Sequence, residues 1–202
     1  MLEALQSSRF LFIIPEKHQK TSQSPYRELA DFVSGLGVEV YMIDIRWKKH
    51  NSLLECALEA TKKVHEIVDE LKPTECYFFG FGIGAMLAVQ VSYLFRAKGL
   101  MLCSMPALFQ EELTLLPWLK RYLGRRRIYN ARNKPGYPAL PLKFKTCLLY
   151  TEKERKTISR LNDIRDKKFP RSQTIYIQKT GISLRRKKYM AAVKEAVKSL
   201  LS

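Results

Sequence analysis

The chain alternates wholly apolar runs with amphipathic ones. Phe10–Pro15, "FLFIIP", is apolar at every position, as a strand covered on both faces of a parallel sheet must be. In Tyr26–Leu36 the residues Leu29, Phe32, Val33 and Leu36 fall at helical spacing, with Gly37 to end the helix. Val38–Ile45, "VEVYMIDI", predicts a second strand. Ser52–Leu71 predicts a long helix with Leu54, Ala57, Leu58, Thr61, Val64, Val68 and Leu71 on its apolar stripe and Pro73 beyond its end. A third strand is expected at Glu75–Phe79, followed by a helix from about Ile83 to Phe95. Strands at Leu100–Met105, Thr146–Tyr150 and Thr174–Gln178 and a closing helix at Tyr189–Leu201 complete the pattern. Alternating strands and helices predict an α/β fold, a mostly parallel twisted sheet of about six strands with helices on its faces and right-handed crossovers. Only 107–145 breaks the pattern, with Pro117, Pro135, Pro138 and Pro141 and a basic cluster. It reads as a lid-like basic insertion in one domain spanning 1–202.

The segment "ECYFFGFGIGAMLAVQVSYLF", Glu75–Phe95, holds the chemistry. Its uncharged run Tyr77–Phe95 has 19 residues, close to the ~20 that cross a bilayer. Gly80, Gly82 and Gly84 weaken a helix there, Gln90 and Ser92 dilute its second half, and the run divides into a strand and a helix. No transmembrane segment is expected. Gly80, Gly82 and Ala85 also fit the relaxed dinucleotide fingerprint G-x-G-x-x-G/A, but on the third strand and with no acid near Met105 before Glu111.

The order and spacing of four segments resemble the α/β-hydrolase superfamily over nearly the whole chain. "RFLFIIPEKHQKTSQSPYRELADFVSGLGVEVYMIDIRW" resembles that family's strand, oxyanion loop, helix and following strand, which ends in an aspartate and an arginine, here Asp44 and Arg46. "YFFGFGIGAMLA" resembles the nucleophile elbow G-x-S-x-G. "PLKFKTCLLYTEKE" resembles the strand that delivers the catalytic acid, and "YIQKTGISL" the strand and loop that present the histidine.

The resemblance implies a degenerate site. Gly82 stands at the nucleophile position, and Ile182, or at most Ser183, stands where the histidine belongs. Glu154 is nearest the acid's position, a remnant of the triad. The oxyanion loop, which usually begins His-Gly, reads Pro15-Glu16. Acyl transfer needs a hydroxyl activated by an imidazole that an acid orients, so a carboxylate alone does not hydrolyse esters. Glycine relieves backbone strain of ~1–3 kcal/mol at the elbow, and a serine restored at 82 is expected to fit at about that cost. The alternative is a relocated nucleophile, with His18 in a loop at the sheet's edge and Ser22, Ser24 or Ser104 beside it. His50 lies in a polar turn and His65 on the surface of the long helix. No metal ligand spacing is present, and no cofactor is expected.

Charge supplies the functional expectation. The net charge is +17, yet residues 1–112 carry 12 Lys/Arg against 14 Asp/Glu, whereas residues 113–202 carry 24 against 5. An asymmetry of that kind points to an anionic partner: nucleic acid, an acidic membrane surface or an acidic protein. The candidate anion-binding residues are Arg125, Arg126 and Arg127 in the insertion, Arg155 and Lys156 after the fifth strand, and Arg185, Arg186, Lys187 and Lys188 after the sixth. Loops that follow parallel strands gather at one edge, so these clusters are expected around the vacated site. Cys56, Cys76, Cys103 and Cys147 are dispersed, with no CxxC, which fits reduced thiols and a cytoplasmic location.

Overall fold

The computed structural model describes residues 8–17, 19–47, 52–106, 143–154 and 169–202. Within them lie six strands: β1 Arg9–Ile14, β2 Glu39–Met42, β3 Glu75–Phe81, β4 Gly99–Cys103, β5 Lys145–Thr151 and β6 Ser172–Ile177. Four α-helices accompany them: α1 Ser24–Ser34, α2 Leu53–Leu71, α3 Ile83–Leu94 and α4 Lys187–Leu201. Every strand pair is parallel, in the order β2-β1-β3-β4-β5-β6.

Crossover handedness links that order to the placement of the helices. The chain steps one way from β1 to β2, then returns past β1 to β3 and continues outward. Right-handed crossovers in opposite directions place their helices on opposite faces. The two faces have separate cores. Phe10, Phe12, Ile14, Phe78, Leu100 and Leu102 join α2 and α3, while Leu11, Ile13, Phe79, Met101 and Leu149 join α1 and α4. The alternation along β1 shows why "FLFII" had to be apolar throughout: both faces of the strand are covered.

Several element ends differ from those expected. β2 stops at Met42 because Asp44 turns away to accept hydrogen bonds from Thr21 N (2.9 Å) and Thr21 Oγ1 (2.9 Å). α1 ends at Ser34 rather than Leu36, closing in a tight turn in which Gly37 N donates to Ser34 O, with Gly37 at φ 74°. β3 extends to Phe81, since Gly80 still pairs with Ile14 and Leu102. β5 already begins at Lys145, while 107–142 of the expected insertion lies outside the described residues.

The stripe expected on α2 is a larger correction. Leu53, Cys56, Ala57, Ala60 and Val64 face the core, whereas Leu54, Leu58 and Leu71 are exposed at 40%, 59% and 44%. Small side chains let α2 approach its neighbours closely, and periodicity counted only the large apolar residues. Ser52 caps the helix by accepting from Glu55 N at 3.1 Å. α3 is buried from Ile83 through Val89 and again at Val91 and Ser92, and it packs against both α2 and the sheet. Burial inside the protein therefore accounts for the long uncharged run. Among the described residues no helix is long and apolar enough to cross a membrane.

Candidate active site at the sheet switch point

Strand order reverses between β1 and β3, and a crevice at the C-terminal ends of such strands is where open α/β sheets place ligands. Two glycines make that crevice tight. A Cβ on Gly80 would lie 2.3 Å from Ala85 Cα, and one on Gly84 would lie 2.3 Å from Pro15 O. Both contacts are with backbone, so both positions need glycine for β1, β3 and the start of α3 to meet. Between them Gly82 adopts φ 58°, ψ −124°, a strained region that side chains rarely enter. This is the turn that the sequence likens to a nucleophile elbow, and residue 82 carries no side chain there.

Another side chain occupies the vacated space. A Cβ on Gly82 would lie 1.3 Å from Glu16 Oε2, well inside contact distance. Glu16 Oε1 accepts from its neighbour Lys17 N at 2.7 Å and from Ile83 N at 3.2 Å. Ile83 is the first residue of α3, and free amides at a helix start favour an anion. An N–H from the residue after the nucleophile position and one from the loop after β1 are the donors that form an oxyanion hole in this architecture. Here they hold the protein's own carboxylate. The loop is fixed behind it: Glu16 N donates to Tyr26 Oη (3.0 Å), Tyr26 Oη donates to Gln19 Oε1 (2.7 Å), and Gln19 N returns to Glu16 O (2.9 Å). Burial drives the Tyr26 phenol far above its ordinary pKa, so it stays a neutral donor. Sequence reasoning flagged Pro15-Glu16 as an aberrant oxyanion loop and missed this role.

A serine at position 82 would displace this carboxylate, the end of a flexible side chain, in addition to the strain expected there. The hydroxymethyl group and the Glu16 carboxylate cannot share the site. The dinucleotide reading of the same glycines fails for the same reason, since a pyrophosphate would meet a carboxylate already on Ile83 N–H.

Glu154 lies at the end of β5, buried in a short 3₁₀ turn over Glu152–Glu154. Its Oε2 accepts from Thr151 N (2.8 Å), Thr151 Oγ1 (3.0 Å) and Ser104 Oγ (3.1 Å). Ser104 Oγ also bonds Tyr189 Oη at 2.8 Å. With Ser104 donating to the carboxylate, Tyr189 donates to Ser104, which satisfies all three groups. Burial raises the Glu154 carboxyl above its usual range despite these bonds, and pushes the Tyr189 phenol far upward. Ser104 is itself buried, immediately beyond β4 and beside the elbow, with φ 50°. Ile182, where the resemblance leads one to expect a histidine, is 45% exposed. Ser22 and Ser24 are exposed in the turn into α1. His65 is exposed on α2, with Nδ1 2.8 Å from Asp69 Oδ2. His18 and His50 lie outside the described residues.

Asp44 and Arg46 take different partners: Asp44 holds Thr21, while Arg46 reaches Glu59 through its backbone N (3.1 Å) and Nε (2.7 Å). Arg125, Arg126, Arg127, Arg155 and Lys156 fall outside the described residues. Arg185, Arg186, Lys187 and Lys188 are exposed at the start of α4, whose first turn has no side-chain cap. Of these four only Arg186 lines a cleft of ≈ 410 Å³, together with Glu152, Lys153, Lys179, Thr180 and Gly181. Lys179 was not singled out from the sequence, because a lone lysine after a strand gives no local signal.

No protein-family model and no curated protein sequence matches the chain. Solved structures do. Est1E from Butyrivibrio proteoclasticus with bound ferulic acid superposes with a TM-score of 0.72 at 13% identity, covering 100% of this chain and 91% of that one. The mouse alpha/beta hydrolase domain-containing protein 10 gives 0.72 at 15% identity, covering 95% and 89%. A dienelactone hydrolase from Anabaena variabilis gives 0.66 at 11% identity, covering 98% and 87%.

Proposed function

The chain has the α/β-hydrolase fold, and from that premise we propose that it is a non-catalytic form of the fold that binds an anionic partner through its basic half. One observation carries the non-catalytic reading. Gly82 offers no nucleophile, and the Glu16 carboxylate sits on the two amides that would stabilise a reacting oxyanion. A substrate carbonyl entering there meets a negative charge instead of donors. Ile182 supplies no base. Glu154 is engaged with Thr151 and Ser104, so the residual acid serves structure.

The rival reading is an esterase-like hydrolase with a relocated nucleophile, and Ser104 is the residue that favours it, since it contacts Glu154 beside the elbow. Its burial and the filled amide pair weigh against it. A further alternative is an interaction subunit for an acidic protein.

The anionic partner follows from the charge split between the halves of the chain. Its test is a salt titration of binding to single-stranded RNA, duplex DNA and anionic liposomes. Log affinity should fall linearly with log salt, by about 0.7–0.9 per phosphate neutralised on nucleic acid. Charge reversal at Arg125, Arg126, Arg186 and Lys187 should flatten that slope. Reversal at Lys20, Lys48, Lys49 and Lys62 should do much less; Lys63 is left intact because it pairs with the buried Glu59 at 3.1 Å. Equal losses would mean a diffuse cloud of charge and no site. Absence of binding to all three ligands would favour an acidic protein partner.

A further inference from the structure

We propose that the cleft between the β5 and β6 loops binds a phosphate-type anion, specifically the phosphoryl end of a phosphorylated small molecule. This rests on the anion-binding reading and gives it a place and a chemistry. The cleft is not the switch-point crevice. It opens beside β5 and β6, two to three strands from the elbow, or about 10–14 Å at ~4.8 Å per strand.

Three separate positions deliver the cations: Lys153 in the turn after β5, Lys179 after β6, and Arg186 at the cap of α4. Among the described residues none of the three side chains forms a salt bridge or a side-chain hydrogen bond. The only carboxylate in the lining among the described residues is Glu152, and its Oε2 accepts from Lys179 N at 3.4 Å. Among the described residues the cleft therefore gathers three like charges against one, and one of them, Arg186, is the cap residue of α4, which has no side-chain cap hydrogen bond. A cation at a helix start opposes the helix dipole by typically ~0.3–1 kcal/mol. A bound dianion would add an attraction to each of the three cations that outweighs its repulsion from Glu152.

The loop holds these groups in place. Gly181 is buried under the Arg186 side chain, where a Cβ would meet Nε at 2.8 Å. Lys179 turns the chain with a left-handed backbone, φ 53°. Arg186 thus lies along the loop, and a guanidinium fork suits a phosphoryl group's paired oxygens. The volume of ≈ 410 Å³ exceeds what a bare oxyanion fills and falls within the range of small-molecule clefts.

The test uses the full-length, ¹⁵N-labelled protein titrated with inorganic phosphate and with pyrophosphate at fixed ionic strength. Amide shifts should concentrate in Glu152–Glu154 and Lys179–Tyr189. Lys179→Ala/Arg186→Ala should weaken pyrophosphate binding at least tenfold, and Arg186→Lys should retain part of the loss-sensitive affinity. The control pair Lys20→Ala/Lys62→Ala should change it less than twofold. If the cleft pair does not fold, Lys153→Ala, at an exposed position, should still weaken binding severalfold. Pyrophosphate binding that is unchanged in the cleft variants, or shifts elsewhere, overturns this inference and leaves the broader anion-binding reading standing. If neither phosphate probe nor RNA, DNA or liposomes bind, this inference falls and only an acidic protein remains as the anionic partner.

Discussion

Replacing Gly82 by serine confronts the Glu16 carboxylate directly, and a double-mutant cycle with Glu16→Ala measures that confrontation. In the wild-type background Gly82→Ser has two costs. A side chain at φ 58°, ψ −124° costs ~1–3 kcal/mol in backbone strain. The new Cβ, 1.3 Å from Oε2, also forces the carboxylate out, and its bonds to Lys17 N and Ile83 N are lost. Hydrogen bonds to charged groups contribute ~1.5–3 kcal/mol each, and the 3.2 Å bond belongs at the weak end. The single substitution should therefore cost about 4–7 kcal/mol. In a Glu16→Ala background only the strain remains, because the bonds are already gone. The double variant should be more stable than the sum of the singles predicts by about 3–4 kcal/mol, at the top of the range for residues in contact. Urea unfolding followed by circular dichroism, with equal m-values across the four proteins, provides the measurement. Additivity within ~0.5 kcal/mol would refute the placement of Glu16 in the nucleophile's space.

Gly82→Ser/Glu16→Ala should also show no turnover of p-nitrophenyl acetate above background, because Ile182 leaves the hydroxyl without a base; turnover would show that a base reaches the elbow from elsewhere. Gly84→Ala should cost about 3 kcal/mol or prevent folding, since the added Cβ meets the Pro15 and Ile14 carbonyl oxygens at 2.3 and 2.4 Å and neither backbone can move aside; a cost below about 1 kcal/mol in urea unfolding would contradict the close approach. Burial raises the folded-state pKa of Glu154, so its contribution to stability is present below the unfolded value and is lost as pH rises through the folded one. Glu154→Gln cannot ionise, so its stability relative to wild type should improve between pH 4 and pH 7; a flat or opposite trend would contradict the raised pKa.

The strands themselves and the glycine turn were legible because each depends on local pattern, whereas the strand order was not read from the sequence. Continuous apolar runs marked doubly covered strands, and Gly80, Gly82 and Gly84 marked a turn where backbones touch. The face of α2 was not legible, since Cys56, Ala57 and Ala60 make the contact and weigh little in a hydrophobic stripe. Glu16 illustrates a deeper limit. Its partner Ile83 is 67 residues away, and the two meet only because β1 and β3 pair at the switch point. Two sequence oddities, a carboxylate in the oxyanion loop and a missing side chain at the elbow, were each visible. Their complementarity appears only when the strands are adjacent. Lys179 likewise acquires significance only from Lys153 and Arg186 across the cleft.

The central claim is that the hydrolase fold here carries no working nucleophile. Exposure of the purified full-length protein to a fluorophosphonate probe, with intact-mass readout, tests it most directly, because the probe forms a stable adduct with an activated serine. The account predicts an unchanged mass under conditions that label a serine esterase to completion. A stoichiometric adduct mapped to Ser104, and abolished by Ser104→Ala, would contradict it and establish a nucleophile moved one strand along the sheet.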